Sequence, residues 1–167
     1  MSTTTAVIVA AMVLSGCASA PAPRAPAPID ATVAWQSLAK ELPGTWTTTT
    51  AEPFEVSYRL FSNQSALVET WGTNPKRQTL SVYHPDGRSL VMTHYCAQQN
   101  QARLRATEAS AERVVFAFEA ATNVLPGAGV MHQLSFVFGP DTLERIEIYE
   151  SEGAPPERSV YRFTRKR

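Results

Sequence analysis

The sequence predicts an all-β protein, an antiparallel up-and-down β-barrel of about 8–10 strands with a short N-terminal helix. Three observations carry this. Apolar and polar residues alternate with period two through much of the chain after residue 44. The breaks between runs are mostly short, as at Asn63-Gln64, Pro85-Asp86-Gly87 and Ala109-Ser110-Ala111, and read as hairpin turns. No helix-length crossover remains after residue 44, which excludes a parallel α/β sheet.

Taken from the start, Ala6 to Leu14 reads AVIVAAMVL, an apolar run of signal-peptide length and too short to cross a bilayer as a helix. Leu14-Ser15-Gly16-Cys17 follows, with small residues where a peptidase needs an extended backbone. These four residues resemble the lipobox of bacterial lipoproteins. The resemblance implies a signal peptide over 1–16, diacylglycerol and acyl chains (palmitate among them) on Cys17, and a protein anchored to a membrane. Ala18 after the cysteine implies the outer membrane, facing the periplasm. The stretch Met1 to Thr5 departs from the pattern, because it carries no Lys or Arg. Residues 17–29 are the lipidated cysteine and a Pro/Ala-rich tether, SAPAPRAPAP, which favours extended polyproline II geometry.

Residues 30–167 form the folded part. Asp30 can cap a helix running to about Glu41, with Val33, Ala34, Leu38, Leu42 and Trp35 as a rough apolar side, and Pro43-Gly44 stops it. Candidate strands are 45–50, 54–61, 65–72, 77–84, 89–95, 101–108, 112–119, 131–138, 143–150 and 157–164. Apolar rows stand out at Phe54/Val56/Tyr58/Leu60, Leu80/Val82/His84, Leu90/Met92/His94/Cys96, Val114/Phe116/Phe118, Leu134/Phe136/Phe138 and Ile146/Ile148. Glu144, Glu147 and Glu150, beside Arg145, read as a wet face. The longer gap from Ala120 to Gly129 is a portal loop or a plain surface excursion. So many meandering strands need edge protection, which closure provides, and a closed sheet of this size encloses a cavity or needs a bulky core.

Gly44-Thr45-Trp46, just after the helix and opening the first strand, resembles the motif of the lipocalin and fatty-acid-binding superfamily, the calycins. The resemblance implies that Trp46 closes one end of the barrel, that Arg162 or Arg165 packs over its indole, and that the barrel binds a small hydrophobic ligand such as a lipid or fatty acid. Tyr58, Tyr83, His94, Tyr95 and Arg103 are the polar residues suited to contact such a ligand. A second set, Tyr83-His84-Pro85-Asp86-Gly87, Met92-Thr93-His94-Tyr95-Cys96 and Asn100-Gln101-Ala102-Arg103-Leu104, resembles a signature of small bacterial barrels. Its central turn would bring His84 and His94 into neighbouring strands.

Composition narrows the functions. The chain has 167 residues, 44% hydrophobic and 18% charged, with zero formal net charge. It can fill one core and has no field of one sign to attract nucleic acid. With Cys17 lipidated, Cys96 has no partner and the core must hold by packing. His84, His94, His132 and Cys96 are residue types that hold zinc, copper or haem iron, and satisfied structural histidines are the alternative. Cys96 near His94 has the types for nucleophilic catalysis but lacks an evident orienting group. No phosphate loop, nucleophile elbow or Cys-x-x-Cys is present. The expectation is therefore a non-enzymatic, membrane-anchored barrel needing no cofactor. It is a ligand binder, a solid-cored envelope structural or protein-interaction module, or a metal- or haem-binding barrel.

Overall fold

The structure is a computed structural model, and it describes residues 29–72, 74 and 78–166. The signal peptide, Cys17 and the tether up to residue 28 lie outside the described residues.

Among the described residues one helix, α1 (Ala31–Glu41), precedes ten strands: β1 (Gly44–Thr48), β2 (Glu55–Phe61), β3 (Ala66–Trp71), β4 (Thr79–Asp86), β5 (Ser89–Tyr95), β6 (Gln101–Ala109), β7 (Arg113–Thr122), β8 (Val130–Gly139), β9 (Thr142–Glu150) and β10 (Glu157–Arg165). Each strand pairs antiparallel with its neighbours in sequence, and β1 pairs β10, so the sheet is a closed barrel without a free edge. Asp30 caps the helix by accepting a bond from the Thr32 backbone N–H at 2.8 Å. Ala34 and Leu38 face the barrel, whereas Val33, expected on the apolar side, is exposed.

The helix lies against β4, β5, β6 and β7. It is tied to the β6–β7 turn by Ser37, whose Oγ donates to the Ser110 carbonyl at 2.9 Å. That end of the barrel is filled. Leu38, Leu42, Trp46, Leu90, Leu104, Val114, Phe116, Leu134 and Leu143 are all buried in one continuous core. The β5–β6, β7–β8 and β9–β10 loops gather at the opposite end, which no helix among the described residues covers.

The Gly-x-Trp segment is the joint between helix and barrel. The Trp46 indole N–H donates to the Leu42 carbonyl at 2.8 Å. The Arg165 guanidinium sits 4.2 Å from the centre of the indole ring and donates to the Pro43 and Glu41 carbonyls, both at 2.8 Å. It therefore satisfies carbonyls at the helix C-terminus that no helical N–H reaches. Gly44 has φ +124°, and a Cβ there would meet Arg165 Nη1 at 3.3 Å, so glycine serves both the backbone and the close approach. Arg162 turns outward and pairs with Glu144 at 3.0 Å.

Three of the apolar rows do not fill the core as rows: on β4, Ser81 and Tyr83 are buried while Leu80 and Val82 are half-buried on the other face and His84 is exposed. Phe118 was expected on one face with Val114 and Phe116. The register between β6 and β7 shifts at Arg103/Leu104, and Phe118 emerges 38% exposed on the outer surface, stacked on His132 at 4.2 Å. On β9 the faces are reversed. Arg145 and Glu147 point into the barrel, while Ile146 and Ile148 are half-buried on the other face. The cause is a carboxylate buried on the opposite wall, Glu69 of β3.

The Arg165 contacts combine a cation–π interaction with two charge-assisted bonds, so Arg165→Ala should cost about 2 kcal/mol and lower Tm by roughly 5 °C. Arg162→Ala, removing an exposed pair, should be near neutral. Equal losses for the two variants in urea or thermal unfolding would contradict this assignment.

Candidate functional site

A row of directly paired inward residues crosses five strands: Tyr58 on β2 opposite Glu69 on β3, Glu69 opposite Ser81 on β4, Ser81 opposite His94 on β5, and His94 opposite Ala102 on β6. All five are buried. The row follows from strand periodicity, because each residue occupies an inward position of its own strand and the short hairpins set the registers. It places a carboxylate, an alcohol and an imidazole in the barrel interior among buried aromatic and aliphatic side chains.

Arg145 reaches this row from the far wall. Its Nη1 donates to Glu69 Oε2 in a short contact and to the Tyr58 phenol oxygen at 3.2 Å. Its Nε donates to Glu147 Oε1 at 2.6 Å. The guanidinium also lies 4.9 Å from the Trp71 ring centre and 5.5 Å from that of Phe136. Tyr83 completes the shell by donating to Glu69 Oε2 at 2.6 Å. This explains β9: a carboxylate buried on β3 needs a cation inside the barrel, and that need turns Arg145 inward against the apolar pull of Ile146 and Ile148.

Burial alone would raise the Glu69 pKa. The Arg145 charge and the bonds from Arg145 and Tyr83 outweigh it and hold the carboxyl below its usual value. Burial would likewise lower Arg145, but Glu69 and Glu147 keep it well above its ordinary range. Tyr58 and Tyr83 are pushed up, first by burial and then by the Glu69 charge. His94 is pulled down to about 4, chiefly by burial, so it is neutral at neutral pH.

The polar cluster surfaces at the open end. A cavity of 440 Å³ lies there between β9, β10 and the loops, and Glu147 and Tyr149 belong both to its lining and to the buried cluster. The Tyr149 hydroxyl is 3.2 Å from His94 Nε2. Tyr161 and Ser159 form the β10 wall, and Cys96 and Gln98 come from the β5–β6 loop. The 120–129 region contributes Gly127 and Gly129 to the rim. It is held in place by Gln98, which accepts from the Gly129 N–H at 2.7 Å, and by Asn100, which donates to the Gly129 carbonyl at 3.0 Å. A Cβ on residue 129 would meet Gln98 Nε2 at 3.1 Å, so this rim is tight.

The expected ligand contacts separate into two groups. Tyr58, Tyr83 and His94 point inward and are brought together by Glu69 and Arg145. Tyr95 is 45% exposed. Arg103 pairs with Asp86 at 3.0 Å and Glu119 at 2.8 Å in a surface network. The histidines do not converge either. His84 and His94 are on neighbouring strands but opposite faces, with His84 exposed against the Pro85 carbonyl. His132 stacks on Phe118 and approaches Glu150 at 3.3 Å. Among the described residues, no group of three or more His, Cys, Asp or Glu side chains is arranged to hold a metal ion. Ser81 lies between Glu69 and His94, and all three are buried, so this order of groups offers no accessible nucleophile with its own base. Glu69, Glu147, Arg145, Ser81 and Tyr149 were missed as site residues. The one legible signal is Glu69 itself, which shares the inward row of β3 with Leu67 and Trp71.

Fold and site together define a closed ten-stranded antiparallel barrel with an N-terminal helix, consistent with a calycin-like fold, and with a buried charged network beneath an open mouth. No protein-family model matches the chain, and no curated protein matches its sequence.

The His94 shift has a stability consequence. Its folded pKa lies below the usual 6.5, so the unfolded chain takes up the proton first. The stabilisation is fully present above about pH 6.5 and is lost as pH falls toward 4, amounting to about 2 kcal/mol by pH 5. Urea unfolding between pH 7.5 and 5 should show this slope in the wild type and not in His94→Gln. A flat wild-type curve would refute the assignment.

Proposed function

We propose that this protein is a lipid-anchored envelope barrel that binds a small ligand with an apolar body at its open mouth. The observation that carries the reading is the mouth cavity of 440 Å³, within the range of small-molecule sites, at the end the helix leaves open. Its lining is more polar than apolar: Gln98, Glu147, Ser151, Glu157 and Ser159 face it beside apolar surface from Tyr149, Tyr161, Ala154 and Pro155, and Glu147 is fixed by Arg145. Glu147, Tyr149, Ser159 and Tyr161 are set by paired strands β9 and β10, and the β5–β6, β7–β8 and β9–β10 loops supply the rest of the wall, with Gln98 and Asn100 bonded to Gly129. The competing reading, a solid-cored envelope module, draws on the filled half of the barrel around Leu38, Phe116 and Leu134.

A neutral apolar fluorophore, Nile red, separates the two. The wild-type barrel should brighten it at one site per chain. Ser159→Trp, which places an indole in the cavity wall, should weaken binding by roughly tenfold or more. No brightening, or equal brightening by both proteins, would favour the solid-cored module.

The anchor rests on Leu14-Ser15-Gly16-Cys17 behind its apolar run, and the Pro/Ala stretch after it suits a spacer. Outer-membrane placement facing the periplasm belongs to the same proposal. Cells labelled with palmitate should yield labelled protein, and Cys17→Ser should abolish the label. Label retained by Cys17→Ser would remove the anchor from the proposal.

A further inference from the structure

The hydrogen-bond directions in the cluster follow from its chemistry. Glu69 is a carboxylate and can only accept, so Ser81 donates its single hydroxyl proton to Glu69 Oε1 at 3.2 Å. Ser81 Oγ must then accept from His94 Nδ1, 3.0 Å away, which places the imidazole proton on that nitrogen. A buried neutral imidazole has its lone pair on Nε2, so the Tyr149 hydroxyl donates inward, across 3.2 Å. Every proton in the chain from Tyr149 to Glu69 therefore points toward the barrel interior. The Tyr149 oxygen keeps only lone pairs to offer the cavity.

Glu147 presents the same polarity. It is 7% exposed, its Oε1 is taken by Arg145, and its Oε2 receives no hydrogen bond from any described residue. Glu147 lines the cavity, and Glu157 adds a second carboxylate at the rim. No lysine, arginine or histidine lines the cavity among the described residues. Behind it, the single Arg145 cation is shared between Glu69 and Glu147, which leaves the interior with an excess of negative charge. Tyr149 and Tyr161 both line the cavity, and a tyrosine ring is a group that attracts cations.

Building on the binding reading above, we propose that the mouth cavity takes a primary ammonium group carried on a short apolar body. Glu147 Oε2 and the Tyr149 phenol oxygen accept its hydrogen bonds, and the two tyrosine rings flank its apolar part. An anionic head such as a carboxylate would instead meet two acceptors and a like charge in a partly enclosed space.

Three ligands of equal tail length test this by calorimetric titration of the intact protein at neutral pH: octylamine, 1-octanol and octanoate. The expected order is octylamine tightest by roughly tenfold over octanol, with octanoate weakest. Glu147→Gln should bring octylamine to the octanol level while leaving octanol unchanged. If that variant does not fold, Tyr149→Phe should weaken octylamine several-fold and spare octanol. Octanol matching octylamine, or octanoate binding tightest, would overturn the ammonium assignment and leave the binding reading standing. If none of the three binds and Nile red is not brightened, both fall. Selective loss of octylamine in neither variant would also overturn the assignment.

Discussion

A single guanidinium crosses the lumen of this barrel, and much of the interior is arranged around it. Arg145 leaves β9, meets Glu69 on the opposite wall, and holds Glu147 on its own strand. A buried ion pair of this sort adds little net stability against a well-packed apolar alternative, because desolvation offsets the attraction. As a constraint it is strong. Shifting β9 by one residue would turn Ile146 and Ile148 inward, which hydrophobicity alone would accept, but it would leave Glu69 buried beside no cation. The pair thus selects one register from two that the apolar pattern permits.

The same pair divides the barrel into halves of different chemistry. On the helix side, Trp46 is clamped between Leu42 and Arg165, and the space is filled with Leu, Val and Phe. On the mouth side the fill is Trp71, His94, Tyr149 and Tyr161, and packing stops short of the rim. A closed sheet of ten strands is wide, and here large aromatic side chains and the charged cluster occupy its middle, with the mouth cavity beyond them. Because the cluster's protons all point inward, the chemistry seen at the mouth is set by a carboxylate several residues deeper, in Glu69. The polar contact surface is a consequence of how a buried charge was satisfied.

Much of this architecture was readable from residues alone. Period-two alternation and short turns identify the strands and their antiparallel order, since neighbours in sequence joined by a tight turn have little choice of partner. Gly44-Thr45-Trp46 marks the helix-to-barrel joint, because a positive φ and a large indole are needed there together. The site was much less readable. Arg145 with Glu144 and Glu147 has the composition of a solvated strand, and Ile146 and Ile148 have that of a core row. Tyr95 and Arg103 look like plausible lining residues until the parity of their strands puts them outside.

What the sequence by itself determined is the local pattern: which segments are strands, where they turn, where the helix begins and stops, and the leader-like start with its cysteine. These depend on neighbours in the chain, through alternation, capping and turn chemistry. Only the tertiary structure decided which face of β9 is inside, that Glu69 meets Arg145, and that a chain of bonds ends at the mouth on Tyr149. Those outcomes depend on groups 76 residues apart sharing one low-dielectric space, and no local pattern encodes the cost of leaving one of them unpaired.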